Sequence, residues 1–268
     1  MAGSLLERTF NMLSLLSAAR GGLPLQQMAD DLGVPKSAVH RLLSELGRLG
    51  LTRQEPVTGH YMLTTKLLSL GFSHLAASGV VDVAQPVLDQ LARESGELVR
   101  LAVVDGSTLT WVAKSQGARS GMRYDPEMGG HPTLFCTATG QAWLATLDDR
   151  QALDLAIASG LERAAEFGPN APRTVAVLQR RLNKIKADGY AMVVESAAVG
   201  ASAMASTIMS ATSGQAIGTV SIAGPSFRLT EARMRELSRS LMAAAEELSQ
   251  TSIGSEFFSP AARAAAIA

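Results

Sequence analysis

Apolar residues recur at helical spacing at Leu6, Phe10, Leu13, Leu16 and Ala19 and then stop at Gly21-Gly22, which predicts a first helix over roughly Leu5 to Ala19. Leu25, Met28, Ala29 and Leu32 share the face of a second, short helix. Gly33 follows it, suited to the left-handed turn that closes such a helix. Pro35 opens a third, in which Val39, Leu42, Leu43, Leu46 and Leu49 form the apolar stripe. Lys36, Ser37, His40, Arg41, Glu45 and Arg48 fall on its other surfaces, and Gly50 is the stop. Two short extended runs, 51–55 and 60–64, flank the turn sequence Pro56-Val57-Thr58-Gly59 and predict a small hairpin. Three helices and a hairpin thus occupy about the first 65 residues.

The pattern then changes. Leu67, Leu68, Leu70, Leu75 and Ala76 suggest a connecting helix from Thr65 to Ala77, interrupted at Ser78-Gly79, with a new helix expected to begin at Pro86 and to run near Val87 to Glu94. Strands are expected over Leu98–Val104 and Leu109–Ala113 around Asp105-Gly106. Helices are predicted from Thr137 to Leu147 and from Val175 to Asp188, the latter closed by Gly189. A strand at Tyr190–Glu195, a hairpin of Ala205–Ser210 with Ala216–Ala223, and a last helix over Glu231–Ser249 complete the series. Helices interleaved with antiparallel pairs indicate an α+β fold, and no internal repeat is visible. The expected division is 1–66, a connector helix at 67–82, a second domain at 83–250 and a weakly structured tail at 251–268.

Composition narrows the function classes. The 268 residues carry 24 Lys+Arg against 24 Asp+Glu, and 47% are hydrophobic, which describes a soluble two-domain chain rather than a disordered polyion. The single cysteine, Cys136, offers no internal disulfide and no thiolate cluster, which fits a reducing cytoplasm. Phe10 to Ala19 only weakly imitates a signal peptide, because Glu7 sits where a basic region belongs and Asn11, Ser14 and Ser17 interrupt the apolar run. The uncharged stretch Ser196 to Phe227 is rich in Gly, Ser and Thr and contains Pro225, so it reads as buried sheet and not as a membrane span. Any contact with nucleic acid must come from a local basic face. Residues 1–66 hold seven basic and five acidic side chains, a net of +2, and the rest of the chain −2. Charge alone does not separate a DNA reader from a solvated polar face.

A helix crossed over a second through a tight glycine turn lets the second enter the major groove, and Lys36, Ser37, His40 and Arg41 are where its early residues fall. The wording of the sequence is more specific. Glu7–Leu13, Leu25–Leu43 and Thr58–Leu63 resemble the winged helix-turn-helix of the IclR family of bacterial regulators. Pro86–Glu97, Thr137–Ala145, Ile185–Ala191 and Ser221–Thr230 resemble that family's effector-binding domain. The resemblance implies a transcriptional repressor or activator: a winged helix-turn-helix, a linker helix and a C-terminal GAF-like α/β domain with an antiparallel sheet, assembled as a homodimer or a dimer of dimers. Its operator would be an imperfect palindrome in double-stranded DNA. Lys36, Arg48 and Arg53 would meet phosphates, Ser37, His40 and Arg41 would lie at or near base edges, and the wing tip, Thr58, His60 and Tyr61, would reach the backbone or the adjacent minor groove.

The start of the helix at Cys136-Thr137-Ala138-Thr139-Gly140 gathers backbone amides and small side chains, which suits a carboxylate. By resemblance this is the effector cradle. The matching positions are Cys136, Met122 and Tyr124 on an expected preceding strand, Ala138 and Thr139 at the helix start, Val193 and Ala203 on following strands, and Ser221 and Ala223 on the last hairpin. Simple core packing is the alternative for Val193, Ala203 and Ala223. The chain departs from many relatives at Val193, where they carry an acid, at Ala203, where they carry a cysteine, and at Thr207, where they carry a proline. Losing the acid and the cysteine implies a small organic acid with an apolar or aromatic body rather than a two- or three-carbon oxoacid. An enzyme is the rival reading. His131 and Cys136 lack an acidic partner, no phosphate loop or serine elbow is present, and the histidines lack ligand spacing. No enzyme, cofactor, metal site or membrane partner is therefore expected. A DNA-binding structural protein with an inactive pocket remains a third reading, and the target operon, catabolic or transport, is not written in the residues.

Overall fold

A computed structural model describes residues 4–78, 80–126 and 128–251. The tail expected at 251–268 lies outside the described residues after Thr251, as does Gly79 of the connector. The chain divides into two compact units, with the boundary between Ala77 and Ser78.

The first unit holds α1 (Leu5–Ala18), α2 (Leu25–Leu32), α3 (Lys36–Arg48), β1 (Thr52–Gln54), β2 (Tyr61–Leu63) and α4 (Lys66–Ser78). Ser4 and Glu7 form a reciprocal capping box at the start of α1. Gly33 adopts φ +62° and closes α2, its amide bonding back to Ala29 and Asp30. Pro35 then sits at the cap of α3. Met12, Leu16, Met28, Val39, Leu42, Leu43 and Leu46 form the buried centre, as the helical spacing predicts. β1 and β2 pair antiparallel, Thr52 opposite Leu63, and Leu23 adds an isolated bridge to Tyr61.

The second unit runs through α5 (Val80–Ser95), β3 (Leu98–Asp105), β4 (Thr108–Gln116), α6 (Ala138–Leu144), α7 (Asp149–Ala158), a 3-10 turn (Leu161–Glu166), α8 (Val175–Asp188), β5 (Ala191–Val194), β6 (Ala201–Met209), β7 (Ala216–Pro225) and α9 (Glu231–Thr251). Its sheet has the order β4-β3-β7-β6-β5 with every pairing antiparallel. The fold is α+β. On one face Val99, Leu101, Val103, Met204, Ile208, Val220 and Ile222 pack against α5 and α9. On the other, Ala102, Val104, Val193 and Ala205 pack against α6 and α8. The uncharged stretch is indeed sheet: nine of the ten residues of β7 are buried, and their small side chains let helices approach from both sides.

Four expectations need correction. Pro86 lies inside α5 and does not start it; a prolyl ring removes one helical donor and crowds the preceding turn, and the helix passes through it. The helix at 137–147 is shorter, Ala138–Leu144, because Thr137 caps it and the chain turns away after Ala145. α7 and the 3-10 turn were not foreseen. Met122 and Tyr124 lie on no strand but in an irregular loop after β4.

Candidate functional site: a basic helix face and a buried guanidinium

In the first unit, Lys36, Ser37, His40 and Arg41 lie on the first two turns of α3 and are all exposed: Ser37 and Arg41 opposite the buried stripe, His40 on its flank, and Lys36 at the open end of the helix one turn before Val39. Lys36 and Arg41 make no ion pair among the described residues, whereas Arg48 pairs with Glu45 at 3.0 Å and Arg53 with Glu55 at 3.3 Å. Both pairs are surface contacts worth little, so a phosphate can replace the carboxylate at small cost. Two exposed cations at the start of a helix that follows a glycine turn are compatible with entry into a major groove.

The wing is closed on itself. Glu55 N donates to His60 O at 2.7 Å, Gly59 N to Glu55 O at 2.8 Å, and the Gln54 amide to Gly59 O at 2.9 Å. This presents Thr58 on the outside, while His60 is half-buried, its Nδ1 3.4 Å from Gly21 O. Tyr61 is placed differently from the wing tip. Its amide and carbonyl bond to Leu23 and its ring packs on the buried centre, so it braces the wing.

In the second unit the residues named for the effector fall into three groups. Cys136, Ala138, Val193 and Ala203 belong to the apolar layer between α6 and the sheet. Burial pushes the Cys136 thiol up to about 12, so it is a small apolar group. Thr139, Ser221 and Ala223 are buried on or under the same layer. Met122 is 65% exposed and Tyr124 is half-buried. Three polar contacts hold their loop: Gln116 Nε2 donates to Tyr124 O at 3.2 Å, Arg228 Nη2 to Met122 O at 3.0 Å, and Lys114 pairs with Asp125 at 2.5 Å. Arg228 also clasps the buried carboxylate of Glu97, with Nη2 to Oε2 at 2.9 Å.

The start of α6 offers less than its sequence suggests. The helix spans seven residues, and the Gly140 amide is already taken by Thr137 Oγ1 at 3.1 Å. A Cβ at Gly140 would overlap the backbone of Leu134, so the glycine serves close packing. Thr207, where a proline was expected from the resemblance, donates to Ala142 O at 3.0 Å and ties β6 to α6.

Sequence reasoning missed Arg100, Trp111 and Gln141. Arg100 pairs in register with Lys114 and Ser221, and by the two-residue period its side chain leaves the sheet on the same side as Ala102. It is only 5% exposed, its guanidinium lies 3.7 Å from the centre of the Trp111 ring, and its Nε and Nη1 find no acceptor among the described residues. Burial pushes its pKa down to about 10, against the favourable charges of Tyr124 and Asp125, which leaves it a cation at neutral pH. Trp111 Nε1 and Gln141 Oε1 are likewise buried without a partner. The signal was present in the sequence: an arginine in the middle of Leu98-Val99-Arg100-Leu101-Ala102-Val103-Val104, at a position whose neighbours two away are core residues.

These two units match two family models, the IclR helix-turn-helix domain over residues 5–56 and the bacterial transcriptional regulator IclR C-terminal domain over 72–250. The chain belongs to the IclR family. It is a DNA-binding transcriptional regulator, and no enzyme activity attaches to either family domain. Among curated relatives, the transcriptional repressor IclR of Escherichia coli K12 is 28% identical over 91% of this chain and 88% of its own length. The HTH-type transcriptional repressor AllR of Salmonella typhi is 26% identical over 85% of this chain and 82% of its own length. The fold also matches a crystal structure of an IclR homolog from Microbacterium hydrocarbonoxydans complexed with 4-hydroxybenzoate. Its TM-score is 0.78 at 19% identity, covering 94% of this chain and all 100% of the other. No helix among the described residues of this IclR-family chain is long and apolar enough to cross a membrane, and none of their His, Cys, Asp and Glu side chains group as metal ligands.

Proposed function

We propose that this IclR-family regulator is a cytoplasmic repressor that binds an imperfect palindromic operator through paired copies of its first unit. It leaves that operator when a small organic acid with an apolar or aromatic body binds between α6 and the sheet of its GAF-like second domain. The observation that carries the reading is the α3 surface, with Lys36 and Arg41 exposed and unpaired beside Ser37 and His40. Arg41 and its neighbours contact base edges, while Lys36, Arg48, Arg53, Thr58 and His60 meet the backbone. Relatives named as repressors support the sign of regulation. The 4-hydroxybenzoate held by the homolog of similar fold supports an aromatic acid, as do the apolar residues Val193 and Ala203 on the ligand-facing layer. A catabolic or transport operon is the expected target, since such an acid is something to degrade or import.

Operator binding and effector binding are separable. Arg41→Ala lowers affinity for a palindromic fragment from the neighbouring operon by roughly 5- to 150-fold, the worth of a base-edge contact of about 1–3 kcal/mol. It leaves effector affinity unchanged in calorimetry. Thr139→Val does the reverse. A pair of gel-shift and calorimetry series in which both variants damage both activities equally would mean general unfolding and would remove the assignment.

A further inference from the structure

The geometry points to Arg100, backed by the ring of Trp111, as the group that binds the effector's carboxylate. This rests on the reading of the α6 side of the sheet as the effector site, and it moves the anion from the start of α6 to the strand beneath. Arg100 is a 95%-buried side chain by its 5% residual exposure, and two of its nitrogens lack an acceptor among the described residues. A buried cation without a hydrogen-bonded counter-ion is costly, and a fold keeps one where an anion arrives to meet it. The obvious internal partner is committed elsewhere, because the Asp125 carboxylate pairs with Lys114, the residue beside Arg100 across the β3–β4 ladder.

Trp111 sets the geometry. Its ring lies 3.7 Å from the guanidinium carbon, so it covers one side of Arg100 and leaves Nε and Nη1, on two different edges of the guanidinium, as donors for a carboxylate, each able to act together with Nη2. Its own Nε1, buried and unpartnered, is a further donor at the site. In register with Arg100 stands Ser221, and one step along the same face stand Ala223 and Ala203. These small side chains leave the ligand's body an apolar floor, while the carboxylate is read by charge.

The test uses the full-length protein, with sodium benzoate and its neutral isostere benzamide as probes, followed by calorimetry and thermal shift. Wild type binds benzoate at least ~10-fold more tightly than benzamide, a charged against a neutral hydrogen-bond partner. In Arg100→Met the preference disappears, while the unliganded variant melts at or above the wild-type temperature, because a buried charge has been replaced by an apolar chain of similar length. Arg100→Lys keeps a reduced preference and guards against misfolding of the first variant. An unchanged preference in both variants overturns the proposal, as does a lower melting temperature in both with the preference intact, which marks Arg100 as structural. Pyruvate and pyruvamide form a second pair. If wild type binds pyruvate but not benzoate, the aromatic-body reading fails while Arg100 is scored on the pyruvate pair by the same criterion. Binding of benzamide and pyruvamide but of neither acid overturns the carboxylate anchor alone, and binding of none of the four overturns both.

Discussion

Cys136 is the chain's one thiol, and its surroundings make it inert. It is fully buried against α6, and burial raises its pKa to about 12, so the reactive thiolate is scarce at any ordinary pH. A disulfide reagent at pH 8 should label none of the native protein within minutes and one equivalent in denaturant; rapid labelling of the folded chain would contradict the burial. The contrast between Arg41 and Arg100 shows which residues a sequence discloses. Arg41 was legible as an exposed cation, because helical period alone puts it opposite the stripe of Val39, Leu42, Leu43 and Leu46. Arg100 was not, since a charge within an apolar strand has meaning only when the register beside Lys114 and Ser221 and the stacking on Trp111 are known.

Between elements, Asp89 joins α5 to β4. Its Oδ1 accepts from Ser115 Oγ at 2.6 Å and from Gln85 Nε2 at 2.9 Å, and these bonds hold its carboxyl below the usual carboxylate range. A carboxylate with a lowered native pKa stabilises the fold above its unfolded value of ~3.9, and that contribution is lost as the pH falls through the lower native value. Asp89→Asn should therefore cost about 1 kcal/mol or less near neutral pH, the site being partly solvated, with the gap to wild type closing in strong acid. Melting curves from pH 7 to pH 2 read this directly, and a gap that widens on acidification would refute it. The elements themselves were unevenly legible. α2 and α8 end where Gly33 and Gly189 say they should, both at positive φ. Pro86 misled, because proline disfavours a helix interior without forbidding it. α7 and the 3-10 turn were missed because their short runs bury only Ala152, Ala156, Leu161 and Ala164, too few apolar residues to mark a period.

For the whole molecule, zero net charge gives no general attraction to DNA, so affinity must come from a small local basic face, of which the palindromic operator proposed above would engage two copies. The first unit carries the means. Leu5, Leu6 and Phe10 on α1 and Leu68, Leu70 and Phe72 on α4 are all exposed, at 58–71%. Phe10, Leu13, Met62, Leu67 and Leu68 line a groove among α1, β2 and the start of α4. A monomeric surface seldom leaves so many large apolar side chains exposed on a unit of this size, and under the pairing proposed above a second copy would cover them and supply the second half-site. Phe10→Glu places a charge in that seam without touching α3. It should lower affinity for a full palindrome at least ~10-fold and shift the first-unit pairing toward monomer in sedimentation, since binding two half-sites by unlinked readers forfeits the effective concentration that linkage provides. Affinity for a single half-site should stay within about twofold, because Lys36 and Arg41 are untouched and one more acidic group costs little at a distance from the phosphates. Equal loss on half-site and palindrome would place Phe10 in the folding of the unit, and no loss on either would leave the α1–α4 surface without a role in operator binding.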